Sequence, residues 1–124
     1  MNKNDLYKQN RYLCKVVRVI DGDTVEVLVD LGFHASISLH IRMEDVFAHE
    51  VRGGSALTKH LAKNEKAFLQ ELVDANEGYF CLIATGKQSF TRWVGRIFDS
   101  NKEDINLKVI KYIDDHYPIE HIEG

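Results

Sequence analysis

Phe33, Ala35, Ile37, Leu39 and Ile41 alternate with His34, Ser36, Ser38, His40 and Arg42. Successive side chains of a strand point to opposite faces, so this period of two describes a half-buried strand. Two β-rich runs precede it. Residues 12–20 are dense in valine and isoleucine, and over residues 24–31 Val25, Val27, Val29 and Leu31 share one face. Short turns at Asp21-Gly22-Asp23 and at Gly32 link the three runs, which predicts an antiparallel meander.

The regime changes at Gly53-Gly54-Ser55, where Ser55 is a suitable helix N-cap. Over residues 56–76 the period becomes helical, with Leu57, Leu61, Phe68 and Leu72 on one side and Leu69 and Val73 adjoining. Gly78 follows where a helix end often needs a left-handed residue. A fourth strand is predicted over 79–84, a loop over 85–91 and a fifth strand over 92–98. Ser100-Asn101-Lys102-Glu103 fits a capping box, and Asp104 is the alternative cap. The last helix runs to about Tyr112, presents Ile105 and Val109, and is bounded by Pro118. Three strands, helix, two strands, helix is the order of a five-stranded Greek-key barrel, the OB-fold, in the mostly β with α class. The expected division is a loose tail over 1–10, one domain over 11–117 and a C-terminal tail over 118–124.

Bulk properties narrow the function classes without choosing one. With 124 residues, 44% hydrophobic and 28% charged, the chain suits one globular domain. It has no apolar run long enough for a membrane span and no secretory-type apolar segment near Met1, so a cytoplasmic protein is expected, with a monomer as the default. Cys14 and Cys81 lack metal-type spacing and sit in apolar runs, and both read as small buried hydrophobes. A net charge of −3 gives no global argument for a polyanionic partner, although Lys3, Lys8, Arg11, Lys15 and Arg18 make the leading edge basic.

The chemistry-bearing residues lie at the ends of the predicted strands. A D-G-D turn presents two carboxylates on a tight backbone, as a hard cation requires. Arg42, Glu50 and Arg92 stand in or next to strand runs. Guanidiniums match phosphate oxygens as planar donor forks, and a carboxylate can orient or deprotonate a water. Together they suggest chemistry on a phosphodiester. Taken singly, Arg42 and Arg96 read as solvated strand-end charges, His34 and His40 as outward strand residues, and His49 as a surface residue.

Four ordered segments carry a resemblance: residues 19–25 (V-I-D-G-D-T-V), Ile41-Arg42 leading to Glu50-Val51-Arg52-Gly53, residues 90–98 (F-T-R-W-V-G-R-I-F) and residues 105–110 (I-N-L-K-V-I). In order and spacing they resemble the staphylococcal nuclease (thermonuclease-like) family over roughly residues 12–113. The resemblance implies an OB-fold and a metal-dependent nuclease, with Ca²⁺ as cofactor and DNA or RNA as substrate, cut with low sequence specificity. It implies Asp23 as metal ligand, Arg42 and Arg92 as the phosphate clamp, and Glu50 as the group acting on water. Phe90 and Lys87 become substrate-binding candidates.

One departure changes these implications. The family's second metal-binding aspartate falls at Phe47, and the proline before the glutamate is His49. Phenylalanine offers no ligand, and Thr91 stands where the family usually has glycine. Asp45 or Glu44 is the candidate replacement, Asp45 being on the Phe47 face of a regular strand. The alternative is an OB-fold module that binds nucleic acid or protein without cutting it.

Overall fold

A computed structural model describes residues 11–50, 54–89 and 92–116. Strands β1 (Arg11–Asp21), β2 (Thr24–Gly32) and β3 (Ala35–Met43) form the predicted meander. Helix α1 (Ala56–Ala75) follows, then β4 (Tyr79–Lys87), β5 (Arg92–Phe98) and helix α2 (Ile105–Asp115). The barrel closes in the order β1-β2-β3-β5-β4, with β3 and β5 parallel and every other pair antiparallel. This is a mostly β, OB-like architecture, with one helix between β3 and β4 and one at the C-terminal side. Among the described residues no helix is long and apolar enough to cross a membrane. The tails assigned to 1–10 and 118–124 lie outside the described residues.

Alternation explains the core. Val25, Val27, Val29, Ile41, Met43, Phe80, Leu82 and Ile97 point inward and are buried with Val16 and Val19. Gly95 of β5 pairs with Ala84 of β4, and a Cβ there would lie 2.9 Å from the Ile83 carbonyl oxygen. Ser55 caps α1 by accepting the Thr58 N–H, and Asp104, rather than the Ser100 box, caps α2 by accepting the Leu107 N–H.

Several expectations are corrected. The buried stripe of α1 is Ala62, Glu65, Leu69 and Val73, while Leu57 is exposed. Phe68 and Leu72 lie only partly buried against the core, and Phe68 stacks on Tyr112 of α2. Strand β4 runs on through Thr85 to Lys87 past an irregularity between Ala84 and Gly86, so the loop is shorter than 85–91. Helix α2 extends beyond Tyr112 to Asp115. Phe33 and His34 belong to the β2–β3 turn, at φ 55° and 62°, rather than to β3. Cys14 is buried, whereas Cys81 is only half-buried, and both are free thiols.

Candidate functional site

The D-G-D turn and the end of β3 meet at one end of the barrel. Thr24 pairs with Arg42 across β2 and β3, and the Met43 N–H donates to the Asp23 carbonyl at 2.7 Å. Ile41 and Met43 are buried, so alternation sends Arg42 to the outer face. There an Arg42 guanidinium nitrogen lies 3.6 Å from Asp23 Oδ2, and its Nη1 donates to the Met43 carbonyl at 2.8 Å. The Asp23 carboxylate also accepts the Thr24 hydroxyl at 2.8 Å and the Ala48 N–H at 3.3 Å. Phe47 is largely exposed, but its ring centroid lies 5.6 Å from the Arg42 guanidinium carbon. A cation over a ring face at that distance is attracted by the ring quadrupole.

Arg92 reaches the same face from β5. Its Cα partner is His40 and that of Val94 is Arg42, so Arg92 is one pleat along from Arg42. Strand spacing and two residues of rise put their Cα atoms roughly 8 Å apart. Arg92 is exposed, as is Glu50, which stands two residues beyond Ala48. Lys87 lies 5.3 Å over the Trp93 ring, next to Arg92 in sequence. Phe90 and Thr91, like Val51, Arg52 and Gly53, lie outside the described residues.

The residues after β3 point elsewhere than the ligand expectation requires. Asp45 adopts a left-handed backbone (φ 64°), and its carboxylate accepts from Arg96 at 3.3 Å. Glu44 accepts from the same Arg96 nitrogen at 2.9 Å, and Asp104 accepts the Arg96 Nε–H at 2.9 Å. Arg96 is therefore the centre of a three-carboxylate cluster, not a solvated strand-end charge. Hydrogen bonds from Thr85 and then Arg96 hold the Glu44 carboxyl below its usual range. Burial works against the Arg96 charge, but its bonds to Asp104 and Glu44 outweigh that and raise its pKa.

Ca²⁺ takes six to eight oxygen ligands, with charge supplied by carboxylates. Asp23 shares its oxygens with an arginine, a hydroxyl and an amide, Asp45 is committed to Arg96, and Phe47 has no donor. Among the described residues no three His, Cys, Asp or Glu side chains are arranged to hold a metal ion. This donor set does not fit the Ca²⁺ ion that the resemblance implies. What it forms is an outer face with two guanidiniums, Arg42, braced by Asp23 and Phe47, and Arg92 one pleat away.

Glu65 escaped the sequence reading, and His49 is tied to it. His49 is only partly exposed: its N–H donates to Glu65 Oε1 at 2.7 Å, and its Nδ1 lies 3.0 Å from Oε2. Glu65 on α1 is only 1% exposed. The signal that would have found it is a carboxylate inside the spacing Ala62, Glu65, Leu69, Val73, where every other position is apolar. Compared with known proteins, the chain matches no family model and no curated protein sequence.

Proposed function

We propose that this protein engages the phosphodiester backbone of DNA or RNA on the outer β3–β5 face, as an OB-like module of nuclease type. The observation that carries the reading is the placement of Arg42 and Arg92 one pleat apart on paired strands. Each guanidinium is permanently charged and offers a planar fork of donors to phosphate oxygens. Asp23 and the Met43 carbonyl orient Arg42 while leaving part of its fork for a ligand. Such a face reads phosphates rather than base edges, so sequence specificity is low.

A second reading is hydrolysis of the bound phosphodiester. Its support is the Ala48–Asp23 hydrogen bond, which ties the loop to Arg42's partner two residues before the exposed Glu50. A carboxylate there can orient a water toward phosphorus while the arginines meet the charge that develops on the phosphate oxygens.

Both readings are tested on a fluorescent single-stranded oligonucleotide. Arg42→Ala and Arg92→Ala each weaken binding by about tenfold to a hundredfold, the loss of one charge-assisted contact. Each also lowers the slope of log affinity against log salt by about 0.7. Salt-independent binding, or binding untouched by either substitution, would overturn the phosphate clamp. Incubation with Ca²⁺, Mg²⁺ or EDTA, beside Phe47→Asp, reads the second reading. Cleavage lost in Glu50→Gln supports it, and intact substrate under every condition sinks it.

A further inference from the structure

We propose that Glu65 is the positioning residue of the phosphate-binding face, fixing from beneath the loop that links Asp23, Phe47 and Glu50. The proposal rests on the phosphodiester reading above and adds a residue that touches no ligand. Three elements meet at this point. A Cβ placed on Gly22 would lie 3.0 Å from both the Ala48 and Glu65 Cβ atoms, so turn, loop and helix are in van der Waals contact. Both Glu65 oxygens face His49 Nδ1, at 3.2 and 3.0 Å, and one also accepts the His49 N–H. The neighbouring Ala48 N–H is thereby presented to Asp23, the carboxylate that braces Arg42. On the other side of Ala48, Phe47 is held where its ring faces the Arg42 guanidinium.

Stability alone does not explain a carboxylate at this position. Glu65 interrupts an otherwise apolar stripe of α1, and burying a carboxylate costs more than burying a leucine unless the partners compensate. Among the described residues its hydrogen bonds run to His49, in the loop that also carries Phe47 and Ala48. A buried polar pair of this kind selects one arrangement of the backbone over its neighbours, whereas an apolar contact would let the loop slide. The consequence is that the phosphate grip of Arg42 depends on a helix residue on the far side of the loop.

The test uses the full chain and Glu65→Leu, which removes both acceptor oxygens at similar volume, with His49→Ala as a second variant that removes the imidazole from the loop side. Hydrogen exchange of the Ala48 and His49 amides is expected to accelerate at least tenfold in both variants, while the Val27 and Ile41 amides keep their protection. Affinity for a single-stranded oligonucleotide is expected to fall, and Arg42→Ala is expected to cost several-fold less in the Glu65→Leu background than in the wild type. A purely structural Glu65 would lower stability without that coupling. Unchanged loop exchange in both variants, or faster exchange with full affinity and additive effects, would overturn the proposal. If the wild type binds no oligonucleotide, the phosphodiester reading fails by itself. The exchange comparison then decides alone whether Glu65 holds the loop.

Discussion

Phe33 stands at the tip of the β2–β3 turn with φ 55° and its ring fully exposed. A left-handed backbone costs an L-residue with a Cβ about 1–2 kcal/mol, and Asn tolerates it better than an aromatic does. Phe33→Asn is therefore expected to raise stability by about 0.5–1 kcal/mol and Tm by a few degrees, read by thermal denaturation. The two thiols differ for a related reason, their position on the pleat. Cys14 faces inward, and burial, with Cys81 nearby, pushes its pKa up to about 12. Only the thiolate attacks an alkylating or disulfide reagent. Titration with a thiol reagent near pH 8 is expected to count one reactive thiol, Cys81, in the native protein and two after denaturation. The alternation in the sequence put both cysteines in strands. It predicted both to be buried, but only Cys14 pairs with an inward residue, Phe80, whereas Cys81 pairs with the exposed Leu13.

At the scale of elements, α2 is joined to the barrel by one residue more than by its apolar stripe. Asn106 is fully buried; it accepts the Ile97 N–H at 3.1 Å and donates to the Glu44 and Gly95 carbonyls, both at 3.0 Å. Asn106→Leu keeps the volume and strands all three backbone groups from this partner. The expected loss is about 3 kcal/mol, seen as a lower urea midpoint at unchanged slope. The helical period of residues 105–113 was readable, but the load carried by Asn106 was not, since its partners come from β5 and from the segment after β3. Helix α1 teaches the same lesson. Its wheel was read from leucines, and packing against β1 and the D-G-D turn rotated the buried stripe onto Glu65.

At the scale of the whole molecule, Arg96 ties β5 to Glu44 and Asp45 after β3 and to Asp104 at the cap of α2. The Glu44 carboxyl is lowered in the folded state, so its contribution to stability is present above its unfolded pKa. That contribution is lost as pH falls through the lower folded value. Wild type is expected to lose Tm between about pH 5 and pH 3, and Glu44→Gln to show a shallower decline over that window. The same cluster decides the fate of Asp45. A regular strand would have put Asp45 on the face of Phe47, but its left-handed backbone and the Arg96 bond direct it away from Asp23.

The sequence by itself determined the strand and helix order, the Ser55 cap and the placing of Asp23, Arg42 and Arg92 near strand ends. These follow from alternation, helical period and turn chemistry, all of which are local. Tertiary structure alone decided that Arg42 and Arg92 share a face, that Asp45 serves Arg96, and that His49 rests on Glu65. Each of those outcomes depends on which distant strand or helix lies alongside. A charge finds its partner only when the barrel closes, and no local pattern encodes that meeting.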